Sequence, residues 1–192
     1  MRVVITGGPS AGKTTVVNAL KKNFYDEIYV VKESASIIYS GGFPRKVSAE
    51  AKPCQQRAIY CVQKELEQIA AIEAPSCLHV CDRGSLDGLA YWLGTEDEFF
   101  SVNSTNRQAE LGRYDCVIHL QVMPKSHYNN ENSKIRVETW EQAKEIDEKL
   151  KAIWSQHGNY HLVEETISFW DKINEVSEIV RALLEKRESS LV

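Results

Sequence analysis

The sequence predicts an α/β protein, a parallel sheet with helices on both faces. Short apolar runs rich in Val, Ile and Tyr alternate along the chain with stretches of helical periodicity. A Gly-rich turn joins the first such run to the first helix, and residues 115–122 are apolar almost throughout, as in a strand buried on both faces. This alternation calls for right-handed crossovers, with ligands bound at the carboxyl ends of the strands.

Taken in order, residues 2–6 read as the first strand, 13–22 as a helix and 27–32 as the second strand. A long helix starts near Pro53, a residue tolerated in a first turn, with Ile59, Val62, Leu66 and Ile69 expected inward. The third strand, 77–81, is closed by Asp82-Arg83-Gly84, and Ser85 is expected to cap a short helix reaching about Leu93. After the fourth strand, residues 125–134 are polar and aperiodic. The next helix should turn Trp140, Ala143, Ile146, Leu150, Ile153 and Trp154 inward and carry Glu145–Lys149 and Asp147–Lys151 pairs on its outer face. A fifth strand over 161–164 follows, then a helix with Ile173, Val176, Val180 and Leu183 inward.

The chain has 192 residues, with 23 Lys+Arg against 27 Asp+Glu. A net charge of −4 argues against sequence-independent nucleic-acid binding, which needs surplus cations. No stretch reaches the roughly 20 apolar residues of a membrane span. The apolar run at 3–5 opens at once onto glycines, unlike a signal peptide. The expectation is one cytoplasmic domain over 1–192. Five cysteines without a C-x-x-C pair, Cys54, Cys61, Cys77 and Cys81 among them, are expected to be reduced and to act as small core hydrophobes. The histidines form no cluster in the sequence.

Gly7-Gly8-Pro9-Ser10-Ala11-Gly12-Lys13-Thr14 matches G-x-x-x-x-G-K-[ST] in full, and Thr15 continues it. Glycines let the backbone curl so that several N–H groups face phosphate oxygens, and the helix N-terminus adds positive potential. Lys13 would reach the β- and γ-phosphates, and the Thr14 hydroxyl would hold Mg²⁺. A chance match is expected in roughly one chain in a hundred of this length, and the strand-to-helix context lowers that further. Asp82, closing an apolar strand, should emerge beside this loop and organise Mg²⁺; its plain alternative is a carboxylate capping the Ser85 helix. Asp115 begins its strand, at the wrong edge.

With an acid after the second strand (Val31-Lys32-Glu33-Ser34) and Asp82-Arg83-Gly84 after the third, the sequence resembles the nucleoside- and nucleotide-kinase branch of P-loop proteins. More narrowly, it is similar to the AAA-type ATP-binding family that includes the ribosylnicotinamide kinase domain of the bacterial NAD regulator and a fly protein of photoreceptor-channel trafficking. The matching pieces are Ile5 to Thr15, Glu33-Ser34-Ala35, the run from Asp82-Arg83-Gly84-Ser85-Leu86-Asp87 to Tyr91, and Arg136-Val137-Glu138. The resemblance implies a three-layer P-loop NTPase fold, a five-stranded parallel sheet in the order 2-3-1-4-5, and a mobile lid at about 123–136.

The resemblance also implies roles. Glu33 would accept the proton of an attacking hydroxyl, Arg83 would support Glu33 and nearby phosphates, and Arg136 in the lid would stabilise the transferring phosphoryl group, with Lys125 and Lys134 its companions. The plain alternatives are a helix-start glutamate, a surface arginine and an ion pair. Asp87 either orients Arg83, binds substrate hydroxyls, or is an exposed helix acid. Tyr91 and Trp92 either stack on a flat ring or belong to the core; Arg45 and Lys46 either meet an anionic substrate or are solvated. The absence of N-K-x-D favours ATP over GTP. The function expected is a Mg²⁺-dependent kinase acting on a nucleoside-like or nucleotide-like small molecule. The alternative is a nucleotide-dependent switch acting on a protein or lipid.

Overall fold

The computed structural model describes residues 1–125, 139–164 and 168–189. Strands β1 (Arg2–Thr6), β2 (Ile28–Val31), β3 (Leu78–Asp82), β4 (Cys116–Leu120) and β5 (Tyr160–Val163) form one parallel sheet in the order β2-β3-β1-β4-β5. The helices are α1 (Lys13–Asn23), α2 (Ser34–Ser40), α3 (Ala51–Glu73), α4 (Glu96–Val102), α5 (Arg107–Leu111), α6 (Trp140–Trp154) and α7 (Phe169–Ser189). A 3-10 helix spans Ser85–Tyr91.

Alternate residues of β1 feed opposite faces of the sheet, the period-two consequence of an extended backbone. Val3 and Ile5 pack with Val16 and Leu20 of α1 and Val176 and Val180 of α7. Val4 packs instead with Tyr60 of α3, Leu86 of the 3-10 helix, and Leu150 and Trp154 of α6. Because β1 lies between β3 and β4, the carboxyl ends of these three strands bring their following loops together.

The sheet and its order are as expected, and several local features differ. The buried face of α3 carries Gln55, Gln56, Tyr60, Gln63, Glu67 and Ala70, while Ile69 is exposed. The reason is a buried polar network: Glu67 accepts from Tyr114 at 2.8 Å and Gln63 at 3.0 Å, and pairs with Arg113 and Arg2. Gly84, not Ser85, occupies the cap position of the 3-10 helix, which ends at Tyr91. Helices α4 and α5 fall where no helix was expected, and α2 starts directly after Glu33, the helix-start position that was its plain alternative. Cys81 and Cys116 are buried, but Cys54 and Cys61 are exposed on α3 rather than in the core. The Glu145–Lys149 pair forms at 2.7 Å. Asp147, expected on the outer face opposite Lys151, is instead buried. Among the described residues no helix is long and apolar enough to cross a membrane.

Candidate active site

The phosphate loop leaves β1 through Gly7, whose φ of 132° suits only glycine and whose side chain, if it had one, would begin 2.1 Å from the Leu120 carbonyl oxygen. Ser10 and Gly12 also have positive φ, and the Ala11 N–H donates to the Gly8 carbonyl at 3.3 Å, closing the curl. Pro9 lies buried on the loop, and Thr14 and Thr15 stand exposed on the first turn of α1. Lys13 is 2% exposed, and its Nζ donates to the carbonyls of Gly7 and Gly8, both at 2.7 Å. Burial, then the Arg83 charge, lower the Lys13 pKa to about 7, against the pull of Asp82, Glu33 and Asp87.

Facing the loop is a cluster built on Arg83, the first residue beyond β3. Its φ of 85° is left-handed, a strain of roughly 1–3 kcal/mol for a residue with a side chain. Backbone bonds hold it there: the Arg83 N–H donates to the Ile5 carbonyl at 3.1 Å, and Gln63 Nε2 donates to the Arg83 carbonyl at 3.2 Å. From this position Nε donates to Glu33 Oε1 at 2.7 Å and Nη1 to Asp87 Oδ2 at 3.4 Å. Burial opposes the Arg83 charge, but Tyr91 and the carboxylates of Glu33, Asp87 and Asp82 outweigh it.

Glu33 sits at the amino end of α2 and takes a second bond from the Ser36 hydroxyl. Burial raises its pKa, yet Arg83, Ser36 and Lys13 together bring it down to about 2, so the carboxylate is ionised throughout the physiological range. Asp87 is 3% exposed and is no surface acid. It accepts from Thr6 Oγ1 at 2.9 and 3.0 Å and from Trp154 Nε1 at 2.8 Å, so its carboxylate is fixed where it orients Arg83.

Asp82 ends β3 beside Ile5 and is 6% exposed. Among the described residues nothing donates a hydrogen bond to its carboxylate. Burial and the Glu33 charge raise its pKa, against Arg83 and Lys13. A buried carboxylate without a donor is costly to ionise, and a cation would relieve that cost. The carboxylate of Asp82 and the hydroxyl of Thr14 are hard oxygen donors, which fit Mg²⁺. No group of three or more metal-binding His, Cys, Asp or Glu side chains occurs among the described residues.

Glu33, Arg83, Tyr39 and Tyr91 line a cavity of about 180 Å³ that also borders Pro9 and Thr14 of the loop. The Arg45 guanidinium lies 5.4 Å from the centre of the Tyr39 ring. Trp92 turns away to meet Phe99 edge-on at 5.5 Å, so only Tyr91 of that aromatic pair reaches the cavity. The Lys46 backbone is tied to Gln55, and its side chain is exposed outside the cavity. Lys125 pairs with Glu141 at 2.5 Å, and Asp115 accepts from the Arg2 N–H at 2.6 Å, far from the loop. Arg136 and Lys134, with most of the expected lid, lie outside the described residues.

Sequence reasoning missed Ser36, Gln63 and the buried pair of His119 and Asp147. For Asp147 a signal existed: it falls on the inward stripe of α6, between Ala143 and Leu150, where a carboxylate needs a partner.

The family described as an AAA domain matches residues 2–169, from β1 to the first residue of α7, and so takes in every site residue above. A search of curated proteins finds no match.

Proposed function

The chain belongs to the AAA domain family of nucleotide-binding P-loop proteins, and from that premise we propose that it is a Mg²⁺-dependent kinase. In this reading ATP donates its γ-phosphoryl group to a hydroxyl or phosphate of a nucleoside-like acceptor. The observation that carries it is the cavity between the loop and the Glu33–Arg83–Asp87 cluster. Its polar end holds an ionised carboxylate, its walls hold two tyrosine rings, and it borders Thr14. A nucleotide switch needs no second pocket beside its phosphates.

Lys13 keeps two of its three N–H donors on the Gly7 and Gly8 carbonyls, leaving one for phosphate oxygens. Thr14 and Asp82 would hold Mg²⁺, which when bound neutralises phosphate charge. Glu33, fixed by Arg83 and Ser36, accepts the hydrogen bond of the acceptor hydroxyl and aims its oxygen at phosphorus. With its pKa so low, Glu33 orients more than it deprotonates, which suits a transition state with little bond formation to the nucleophile. By resemblance, Arg136 would stabilise the transferring phosphoryl group from the lid expected at about 123–136, in a cytoplasmic protein.

The test is ADP formation from ATP and Mg²⁺ across a panel of nucleosides, nucleotides and vitamins. At least one acceptor should raise ADP formation well above the acceptor-free rate. ADP formation indifferent to every acceptor would turn the reading to a switch ATPase.

A further inference from the structure

Asp147 is 2% exposed on α6, one turn after Ala143. Its Oδ1 accepts from the Gly8 N–H at 2.7 Å and lies 2.9 Å from His119 Nε2; its Oδ2 accepts from the Val122 N–H at 3.2 Å. His119 is fully buried on β4, and its Nδ1 has no hydrogen-bond partner among the described residues, so Nε2 is the nitrogen that donates to the carboxylate. Gly8 leaves α6 no clearance. A side chain there would begin 2.5 Å from Val122 Cγ2, 2.8 Å from the Ala143 carbonyl oxygen and 2.9 Å from Asp147 Cβ. Burial raises the Asp147 pKa, but His119 and the amides of Gly8 and Val122 outweigh it, so the acid is held ionised.

The Gly8 N–H and the Gly7 carbonyl belong to one rigid trans peptide and point in opposite directions. Fixing the N–H on Asp147 therefore aims the carbonyl to the other side, where Lys13 Nζ donates to it at 2.7 Å. Gly7 and Gly8, lacking side chains, give this plane no rotational stop of their own. We infer that Asp147, held by His119, is a positioning residue for Lys13, acting through the Gly7–Gly8 peptide. The inference rests on the reading of this loop as the triphosphate site.

Calorimetric titration with ATP and Mg²⁺ tests it in D147N, H119Q, H119L and K13A. In D147N the oxygen that takes the Gly8 N–H and His119 Nε2 loses its charge, which about halves the strength of those bonds, and the amide NH₂ meets the Val122 N–H; the dissociation constant should rise about tenfold. Gln at 119 can donate to Asp147 as the imidazole does, and Leu cannot. H119Q should bind within twofold of wild type and H119L several-fold more weakly, a rescue that simple core damage would not produce. Should D147N fail to fold, the two His119 variants decide alone. Wild-type affinity in D147N, or equal affinities in H119Q and H119L, overturns the inference while K13A stays weak. Wild-type affinity in K13A would instead overturn the phosphate-loop reading itself.

Discussion

Raising the pH from about 7.5 to about 9 should weaken binding of ATP and Mg²⁺, because Lys13 must carry a proton beside phosphates and holds it loosely in the free protein. Its pKa there is about 7. If only the protonated lysine binds, the apparent dissociation constant grows by a factor of one plus ten to the power of pH minus pKa. That factor is roughly 4 at the lower pH and roughly 100 at the higher, a loss of about 25-fold. The γ-phosphate, with its second pKa of about 6, is ionised across this range and contributes no slope. Calorimetry in buffers of different ionisation enthalpy should show uptake of nearly one proton per complex at the higher pH. Lys13→Met should abolish both the slope and the uptake.

The same lysine leaves a mark on folding. Above pH 7 the folded state releases its proton while the unfolded lysine keeps one, so the unfolded state binds more protons and the wild type gains stability relative to Lys13→Met as pH rises. A dissociation constant that stays within threefold from about pH 7.5 to about 9, with no proton uptake, would mean that Lys13 keeps its proton in the free protein.

Glu33→Gln replaces one of the two oxygens that Arg83 and Ser36 hold by a donor, so the side chain loses its aim; it should leave the affinity for ATP and Mg²⁺ unchanged and lower transfer to the acceptor by roughly 10²-fold, measured as kcat. Because Glu33 titrates near 2, it should add no acid limb to the rate profile between about pH 5 and 7. Asp82→Asn removes a carboxylate whose ionised form is disfavoured by burial; thermal melting should show a free protein at least as stable as wild type, with the Mg²⁺-dependent part of its ATP stabilisation lost. Trp154→Ala deletes a fully buried indole and the donor to Asp87, and should cost about 3–5 kcal/mol in urea denaturation.

What the sequence made legible was what lies close along the chain or at a fixed place in the fold. The loop from Gly7 to Thr14 is one continuous motif. Asp82 stood out because it directly follows an apolar run, and parallel strands bring such positions to one edge; Glu33 and Arg83 were marked by the resemblance to nucleoside kinases. The apolar stripe of α7 followed from its period alone. The inward face of α3 did not, because Glu67 is buried by virtue of Arg113 and Tyr114, some fifty residues on, and Gln63 by its bonds to Glu67 and the Arg83 carbonyl, which periodicity cannot register. Asp147 was misplaced for a related reason. An acid four residues before a lysine reads as a surface pair, and only the fold shows that Gly8, Val122 and His119 converge on it. Asp87 likewise gained its meaning from Thr6 and Trp154.

In the proposed reaction the phosphoryl group leaves ATP for a hydroxyl or phosphate bound between Glu33 and the loop. Phosphorus NMR of the products, with the acceptor found by the panel, follows the γ-phosphorus directly. We expect one phosphorylated acceptor for each ADP, with little inorganic phosphate, and loss of the new phosphorylated-acceptor signal in Glu33→Gln. Inorganic phosphate as the sole product, formed at the same rate with and without the acceptor and in both proteins, would contradict it.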